Sequence, residues 1–407
     1  MSRVHWIALG VLVLLLSLFP LLPRGGGEHG AIRTTGDRPA SGSLTAGYGR
    51  VTPGYQRAID RVVTSARSTQ PLSSKAGARA LVDTLVRCAT FDGQRYCLGG
   101  GWTDRSAAAV RHGLVAALRH QARGRTTVRA TGDLSTYHEL LQRARMGPAA
   151  RAAADRAELT QAARSVAKVW LLRHQIQRVP LPGDFLARHP EVRRAPSVTD
   201  SRIASAPGGS GRQRVKHWKD YPNRGAVLNP RHVTQQHLTY WCGPTTMQMI
   251  TWGWSGAKHS QQHWADRLGT TTSGSSISAM VAVVNSNTGY DKESYAGPYI
   301  TLDIGDWSFK QWRLLMARHI VDYRAPVVLH PVLLQRYYPY LDHDGSGHFQ
   351  VGRGYRKHDG RTLLGYFEPW NQQRFHPDEP FIDRVQWRSA YKSYRANEAH
   401  FQHNLGV

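Results

Sequence analysis

The sequence predicts an α+β fold, in which helices come first and antiparallel strands follow late in the chain. Helix-forming patterns dominate residues 55–178, where apolar residues recur at intervals of three and four. Short apolar runs rich in β-branched and aromatic residues appear only toward the end of the C-terminal half, at hairpin spacing, and indicate strands. These runs are residues 326–330, 348–352 and 362–367. Helices before strands are typical of the α+β class.

Helical periodicity and capping signals predict the individual helices. In the N-terminal half they span residues 55–67, 75–87, 106–123, 136–146 and 148–177. In the C-terminal half they span residues 243–254, 259–268, 277–286, 308–323 and 387–403. Thr136 and Glu139 have the spacing of a capping box, and Pro148 suits the first turn of the helix that it opens.

Composition divides the chain into two domains and two linkers. Residues 25–50 are rich in Gly, Ser, Thr and Arg without periodicity and predict a linker. Residues 51–195 predict a mostly helical N-terminal domain, and residues 196–216 predict a second linker. Residues 217–407 contain more Trp, Tyr and His and predict a C-terminal α+β domain.

Charge and composition limit the classes of partner. The chain has 407 residues, 41% of them hydrophobic, which is enough for the cores of two or three domains. Its formal net charge is +25 and its pI is near 10.5. No block of about five or six Lys/Arg residues occurs, and aromatic residues do not alternate with basic ones, so nucleic acid is not an expected partner. An anionic cell envelope is the expected counter-charge.

Residues 1–24 predict an export signal or a membrane anchor. Arg3 and His5 precede an apolar run over residues 6–22, as in secretory signals. No Ala-x-Ala motif follows, and the run approaches the roughly 20 residues that span a bilayer, so both alternatives stay open. The folded part is therefore expected to be secreted or extracytoplasmic, with membrane contact only through this segment.

The three cysteines predict one disulfide and one single thiol. Cys88 and Cys97 flank the segment CATFDGQRYC, whose Phe-Asp-Gly predicts a turn between two extended arms. Such a hairpin brings the two sulfur atoms together, and an exported protein meets an oxidising compartment. Cys242 is then left without a partner, and a lone thiol in an exported protein is either buried or used.

Cys242 stands where a helix is predicted to begin. Gly243 allows close approach, and Pro244 suits the first helical turn. The N–H groups and partial positive charge of a helix N-terminus stabilise a thiolate. A single cysteine before Gly-Pro is more often structural, so a nucleophile also requires a histidine, its orienting partner and an oxyanion donor elsewhere in the chain.

Motifs with these side chains follow one another in the C-terminal half. Gln236 lies six residues before Cys242, and this spacing favours it over Gln235. About a hundred residues later GHFQVG contains His348, and FEPW then contains Glu368. The order resembles that of papain-like cysteine peptidases, in particular the bacteriocin-processing peptidases that cut after double-glycine leaders and their secreted relatives. The resemblance covers about residues 214–407.

The resemblance implies a papain-like domain in which a helical part carries the cysteine and an antiparallel sheet carries the histidine. It makes Cys242 the nucleophile, His348 the general base and acid, and Gln236 the oxyanion donor. Glu368 would orient the imidazole, although the family usually has Asp at this position. Asn371 is an alternative orienting residue, because an amide oxygen can also accept from a histidine.

These observations predict a secreted or envelope-associated cysteine peptidase that hydrolyses peptide bonds in a peptide or protein substrate. One alternative is a cell-wall peptide amidase or endopeptidase with the same chemistry; another is an inactive papain-like binding module with an unreactive Cys242. The helical N-terminal domain is expected to cover the cleft until it is removed. No cofactor or metal is expected, since no calcium loop is complete and the spacing of His343 and His348 matches no common zinc motif.

Overall fold

The computed structural model describes most of the chain between residues 49 and 407. The described ranges are 49–65, 77–123, 130–194, 215–292, 294–341, 343–358, 361–370, 387–397, 400 and 403–407. The predicted export segment, nearly all of the first linker, most of the second linker and Asn371 lie outside them. Within these ranges, no helix combines the length and the apolar character needed to span a bilayer.

Helices occupy much of both halves. In the N-terminal half they are α1 (Pro53–Ser65), α2 (Ala78–Leu85), α3 (Ala107–Arg123), α4 (Thr136–Arg145), α5 (Pro148–Leu172) and α6 (Phe185–Arg188). In the C-terminal half they are α7 (Cys242–Ser255), α8 (Gln261–Leu268), α9 (Ile277–Asn287), α10 (Phe309–Val321) and α11 (Trp387–Arg395). Serine side chains cap α4, α8, α9 and α10 by accepting a backbone N–H of the first turn.

Within the described ranges, nine strands form one mixed sheet. The strands are β1 (Cys88–Phe91), β2 (Gln94–Cys97), β3 (Gly101–Thr103), β4 (Arg224–Ala226), β5 (Thr301–Leu302), β6 (Val327–Leu329), β7 (Gln350–His358), β8 (Arg361–Phe367) and β9 (Leu405–Gly406). Their order is β1-β2-β3-β5-β9-β6-β7-β4, and β8 pairs with β7 as well. The pairing of β3 with β5 is parallel, and the other pairings are antiparallel.

The sheet joins the N-terminal and C-terminal halves of the chain. Trp102 of β3 lies opposite Leu302 of β5. Next to this pair, the Thr103 hydroxyl donates to Asp303 Oδ2 at 2.6 Å, and the Asp303 backbone N–H donates to the Trp102 carbonyl at 2.9 Å. Buried apolar residues of both halves also form one continuous cluster. Among the described residues of the N-terminal half, the strands β1, β2 and β3 and the helices α1 and α5 contribute to this shared core, whereas α2, α3 and α4 pack in a separate apolar cluster.

The predicted disulfide between Cys88 and Cys97 is confirmed. The two residues lie opposite each other in the β1–β2 hairpin. Its two-residue turn has positive φ at Asp92 (47°) and Gly93 (77°), the conformation that matches the twist of a tight hairpin. The sequence Asp-Gly therefore sets the register that brings the two cysteines together.

Replacing both Cys88 and Cys97 with serine should lower the free energy of unfolding. The bond spans nine positions, and a short closed loop of this kind stabilises the folded state by about 2–3 kcal/mol through the unfolded chain. Urea unfolding monitored by far-UV circular dichroism measures the loss. The wild-type chain unfolded with reductant should show the same loss; an unchanged unfolding midpoint in the double variant would mean that the bond does not stabilise the fold.

Candidate active site

Cys242 is the first residue of α7 and is fully buried. Trp241, just before it, has non-helical dihedrals (φ −107°, ψ 24°), so the helix begins at the cysteine. A Cβ at Gly243 would lie 2.5 Å from Ser275 Oγ. Glycine at this position therefore lets the loop that carries Ser275 pack directly against the start of the helix.

Burial dominates the protonation of this thiol. It raises the pKa of Cys242 well above its ordinary value, and the carboxylates of Asp133 and Glu368 act in the same direction. Backbone hydrogen bonds of Phe349 and Gly243 act in the opposite direction but are weaker. The thiol is consequently neutral in this conformation, and the position at a helix N-terminus does not by itself produce a thiolate.

His348 and Glu368 form a close pair on one hairpin. His348 precedes β7 and Glu368 follows β8, and the antiparallel pairing of Val351 with Phe367 brings the two residues together. His348 Nε2 lies 2.7 Å from Glu368 Oε1. Among the described residues, the buried Nδ1 of His348 has no hydrogen-bond partner. With Nε2–H donated to the carboxylate, Nδ1 carries the lone pair that can accept a proton.

Glu368 is held by three further donors. Its Oε1 accepts the backbone N–H of Trp370 at 2.8 Å. Its Oε2 accepts from Gln350 Nε2 at 2.7 Å and from the Tyr340 hydroxyl at 3.0 Å. Gln350 and Tyr340 are not among the site residues predicted from the sequence. Gln350 carried a usable signal, because it stands two residues after His348 and an extended chain directs alternate residues to the same side.

Gln236 lies next to the Glu368 segment, but its amide is turned elsewhere. Its backbone N–H donates to the Pro369 carbonyl at 2.7 Å. Its side-chain Nε2 donates to the carbonyls of Leu238 at 3.0 Å and Thr239 at 2.8 Å. Its Oε1 is buried without a partner in the described part of the chain. The predicted oxyanion donor therefore lies near the site, but its Nε2 is already hydrogen-bonded to backbone carbonyls of its own turn.

Residues 131–134 of the N-terminal half, called the covering segment below, lie across this region. The Thr131 backbone N–H donates to Ser346 Oγ at 3.0 Å, and the Thr131 hydroxyl donates to the Gly347 carbonyl at 2.6 Å. The Thr131 carbonyl accepts from Gln236 Nε2 at 3.4 Å. The segment is thereby attached to the residues just before His348 and to the predicted oxyanion donor.

The other side of the covering segment pairs with the loop beside Cys242. The Ser275 N–H donates to the Gly132 carbonyl, and the Leu134 N–H donates to the Ser275 carbonyl, both at 2.9 Å, in a parallel bridge. Gly132 has a φ of +109°, and a Cβ there would overlap the backbone carbonyl of Tyr240. The covering segment therefore contacts neighbours of both Cys242 and His348. Cys242 and His348 are themselves 0% exposed.

The comparison with known families covers the part of the chain that contains these candidate site residues. Residues 227–397 match the Peptidase_C39 like family, a range that contains Gln236, Cys242, His348 and Glu368. The match supports a C39-like cysteine peptidase type of function, and hence a hydrolase acting on a peptide or protein substrate. It does not extend into the N-terminal half. No curated protein and no solved structure gives a significant match to the chain.

Proposed function

We propose that the chain is a cysteine peptidase with Cys242 as nucleophile, His348 as base and acid, and Glu368 as the residue that orients the imidazole. The contact of 2.7 Å between His348 and Glu368 is the observation that carries the proposal. It leaves Nδ1 as the basic nitrogen, on a hairpin that packs against the helix beginning at Cys242. The Thr246 hydroxyl, one turn into that helix, donates to the Phe349 carbonyl at 3.3 Å and fixes this packing.

The proposed reaction is acyl transfer in two steps. The Sγ–H proton of Cys242 moves to His348 Nδ1, and the thiolate attacks the carbonyl carbon of the scissile amide. The C–N bond then breaks, Nδ1–H protonates the leaving amine, and a thioester remains on Cys242. Water then attacks the thioester as Nδ1 takes its proton, the C–S bond breaks to release the acid, and Nδ1–H returns the proton to the Cys242 thiolate.

The oxyanion of the tetrahedral intermediate requires hydrogen-bond donors. The backbone N–H of Cys242 belongs to the first turn of α7, where N–H groups have no partner within the helix. Gln236 Nε2 would be the second donor. Nε2 must first break its hydrogen bonds to the carbonyls of Leu238 and Thr239. Movement of the Thr131 carbonyl away from the Gln236 side chain would favour this change.

The described conformation is proposed to be the latent form of the enzyme. Substrate must reach Cys242 and His348, and the covering segment occupies the space between Ser275, Tyr240 and Gly347. Movement or cleavage of that segment would admit substrate and water to the thiol. In this mechanism, the part of the N-terminal half that blocks the cleft is residues 131–134 rather than the whole helical domain.

We place the enzyme outside the cytoplasm, either secreted or attached to the envelope, because of the predicted export segment and the net charge of +25. The substrate is then an exported protein or a cell-wall peptide. Digestion of a peptide library and of purified peptidoglycan by the same preparation separates the two. Library products absent with Cys242→Ala support the peptidase, and release of wall peptides alone supports the amidase. No product from either substrate, even after the covering segment has been displaced by the Gly132→Val substitution, contradicts catalysis.

Glu368 variants test the orienting role. Glu368→Ala should lower kcat about 100-fold with little change in KM, because the imidazole loses its fixed orientation. Glu368→Gln should stay within about 10-fold of wild type, since its amide oxygen still accepts from His348. The new NH2 group would face Gln350, whose free Oε1 can turn to accept from it. Steady-state kinetics measures the effect; an unchanged kcat in Glu368→Ala would remove Glu368 from the mechanism.

A further inference from the structure

Three side chains from distant parts of the chain meet beside the covering segment. Asp133 belongs to the segment, His330 follows β6, and His400 lies near the C-terminus. His330 Nε2 lies 2.8 Å from Asp133 Oδ1, and His400 Nε2 lies 2.8 Å from both carboxylate oxygens. One donor atom from each residue falls within 4.8 Å of the others. The side chains of Asp133, His330 and His400 are 1%, 0% and 2% exposed, respectively.

Each imidazole is oriented by a contact to its Nδ1, the ring nitrogen that does not face Asp133. His330 Nδ1 lies 2.9 Å from Asn404 Oδ1, and His400 Nδ1 lies 3.2 Å from the Thr136 hydroxyl. The amide oxygen of Asn404 accepts the Nδ1–H of His330, so the lone pair of the neutral ring is on Nε2. Nε2 in turn is the nitrogen that points to Asp133. Outer hydrogen bonds of this kind characterise histidines that bind metals.

The contact between His330 and Asp133 requires a positive charge when the neutral His330 ring directs its Nδ1–H to Asn404. His330 Nε2 is 2.8 Å from a carboxylate oxygen, yet it has no partner in hydrogen-bond geometry among the described residues. A lone pair and an anionic oxygen therefore face each other in a buried place, which is unfavourable without a cation between them. A metal ion bound by His330, His400 and Asp133 would supply that positive charge to all three side chains at once.

We propose that Asp133, His330 and His400 bind a divalent transition metal of the zinc class. Two imidazole nitrogens and a carboxylate suit Zn²⁺ or Co²⁺, while Ca²⁺ and Mg²⁺ prefer oxygen ligands. The fold makes room for the carboxylate, because a Cβ at Gly347 would overlap Asp133 Oδ2. The three donor atoms lie within 4.8 Å of one another, so small side-chain movements would let them share one ion.

Such a metal would fasten the covering segment to the C-terminal half. Asp133 is its ligand from the segment, and His330 and His400 are its ligands from the region after β6 and from the chain end. Loss of the metal would leave the segment held by the backbone pairs of Ser275 and the contacts of Thr131. This consequence for access to Cys242 rests on the proposed function; metal binding itself does not.

The test uses the full chain with Cys242→Ala, which removes the one free thiol and leaves the three ligands in place. The protein is stripped with a chelator, dialysed and titrated with Co²⁺ and then Zn²⁺. We expect a single equivalent of Co²⁺ to give visible d–d absorption that Zn²⁺ abolishes, and Zn²⁺ to raise the thermal unfolding midpoint. Absence of both signals in this folded protein would overturn the proposal and requires no ligand variant.

Further variants test whether the bound ions lie at Asp133, His330 and His400. His330→Ala and His400→Ala should each weaken Zn²⁺ binding by at least about 100-fold, and Asn404→Ala by about 10- to 100-fold. The control removes the stacked pair His259 and His263, whose rings are 4.8 Å apart, and should bind Zn²⁺ like wild type. Binding lost in the control and kept in the ligand variants would overturn the proposal. Metal binding by the Cys242→Ala chain, together with no thiol labelling of a chain that keeps Cys242 and has the covering segment displaced, would contradict the peptidase and leave the metal site standing.

Discussion

Replacing Cys242 with alanine will lower kcat/KM for peptide hydrolysis by at least about 10⁴-fold, because no acyl-enzyme can form without the sulfur. His348→Ala should cost about 10³- to 10⁴-fold, since the thiol then has no base and the leaving amine no acid. Both losses appear in kcat/KM measured with a library-derived peptide. A double variant should lose no more than either single one, as the two groups act together.

A matched control comes from another buried histidine. His319 in α10 is 0% exposed, burial lowers its pKa to about 3, and its Nδ1 lies 3.1 Å from the Ala325 carbonyl. His319→Ala should change stability and leave the kcat/KM of the folded fraction near wild type. Equal losses in His319→Ala and His348→Ala would show that the effect comes from lost folding rather than from chemistry.

Thiol labelling gives a second measurement that needs no substrate. Cys88 and Cys97 are bonded to each other, so Cys242 is the single thiol that an electrophile can reach. Labelling of the folded chain should be slow, because the thiol is buried and neutral. Labelling should accelerate when the covering segment moves and slow again when His348→Ala is added. A rate equal to that of a small model thiol in both backgrounds would contradict an activated Cys242.

Replacing Gly132 with valine should raise peptide hydrolysis and thiol labelling by about 10-fold or more. The φ of +109° is unfavourable for valine, and its Cβ would overlap the Tyr240 carbonyl, so the substitution penalises the closed form. A penalty of about 1–3 kcal/mol shifts a closed–open equilibrium toward the open form by about one to two powers of ten. Initial rates with an electrophile and with a peptide substrate measure the shift.

The control for this substitution is Gly256→Val. Gly256 also has positive φ (+75°), but a Cβ there meets no atom within 4 Å. This variant carries the backbone strain without the overlap and lies at the far end of α7, so its labelling rate should stay near wild type. If Gly132→Val is folded and labels no faster than Gly256→Val, then the covering segment does not control access to Cys242.

Local features of the fold could be predicted from the sequence because their causes are local. Gly-Pro after Cys242 marked the start of α7, and Ser260 and Gly269 bound α8 within two residues of the predicted limits. The pairing of Cys88 with Cys97 followed from the Asp-Gly turn between them. In each case the signal and the structure it determines lie within about one helix or hairpin of each other.

Other features depend on partners that are far away in the chain. β7 extends from Gln350 to His358, beyond the predicted strand, because β8 pairs with its polar second half. The covering segment has no periodicity and is ordered by Ser275, more than a hundred residues later. The direction of the Gln236 amide likewise depends on packing. No local pattern carries these long-range contacts, and they decide whether the site is open.

The pairing of β3 with β5 also has a consequence for maturation. A cut in the stretch between residues 195 and 214 would sever the backbone but leave the hydrogen bonds around Trp102 and Asp303 and the shared apolar cluster intact. Nicking there would therefore yield a two-chain molecule rather than a free catalytic fragment. Its two polypeptides would migrate together in gel filtration and separate only in denaturant, so release of residues 51–195 would require disruption of the sheet and the shared core in addition to a cut.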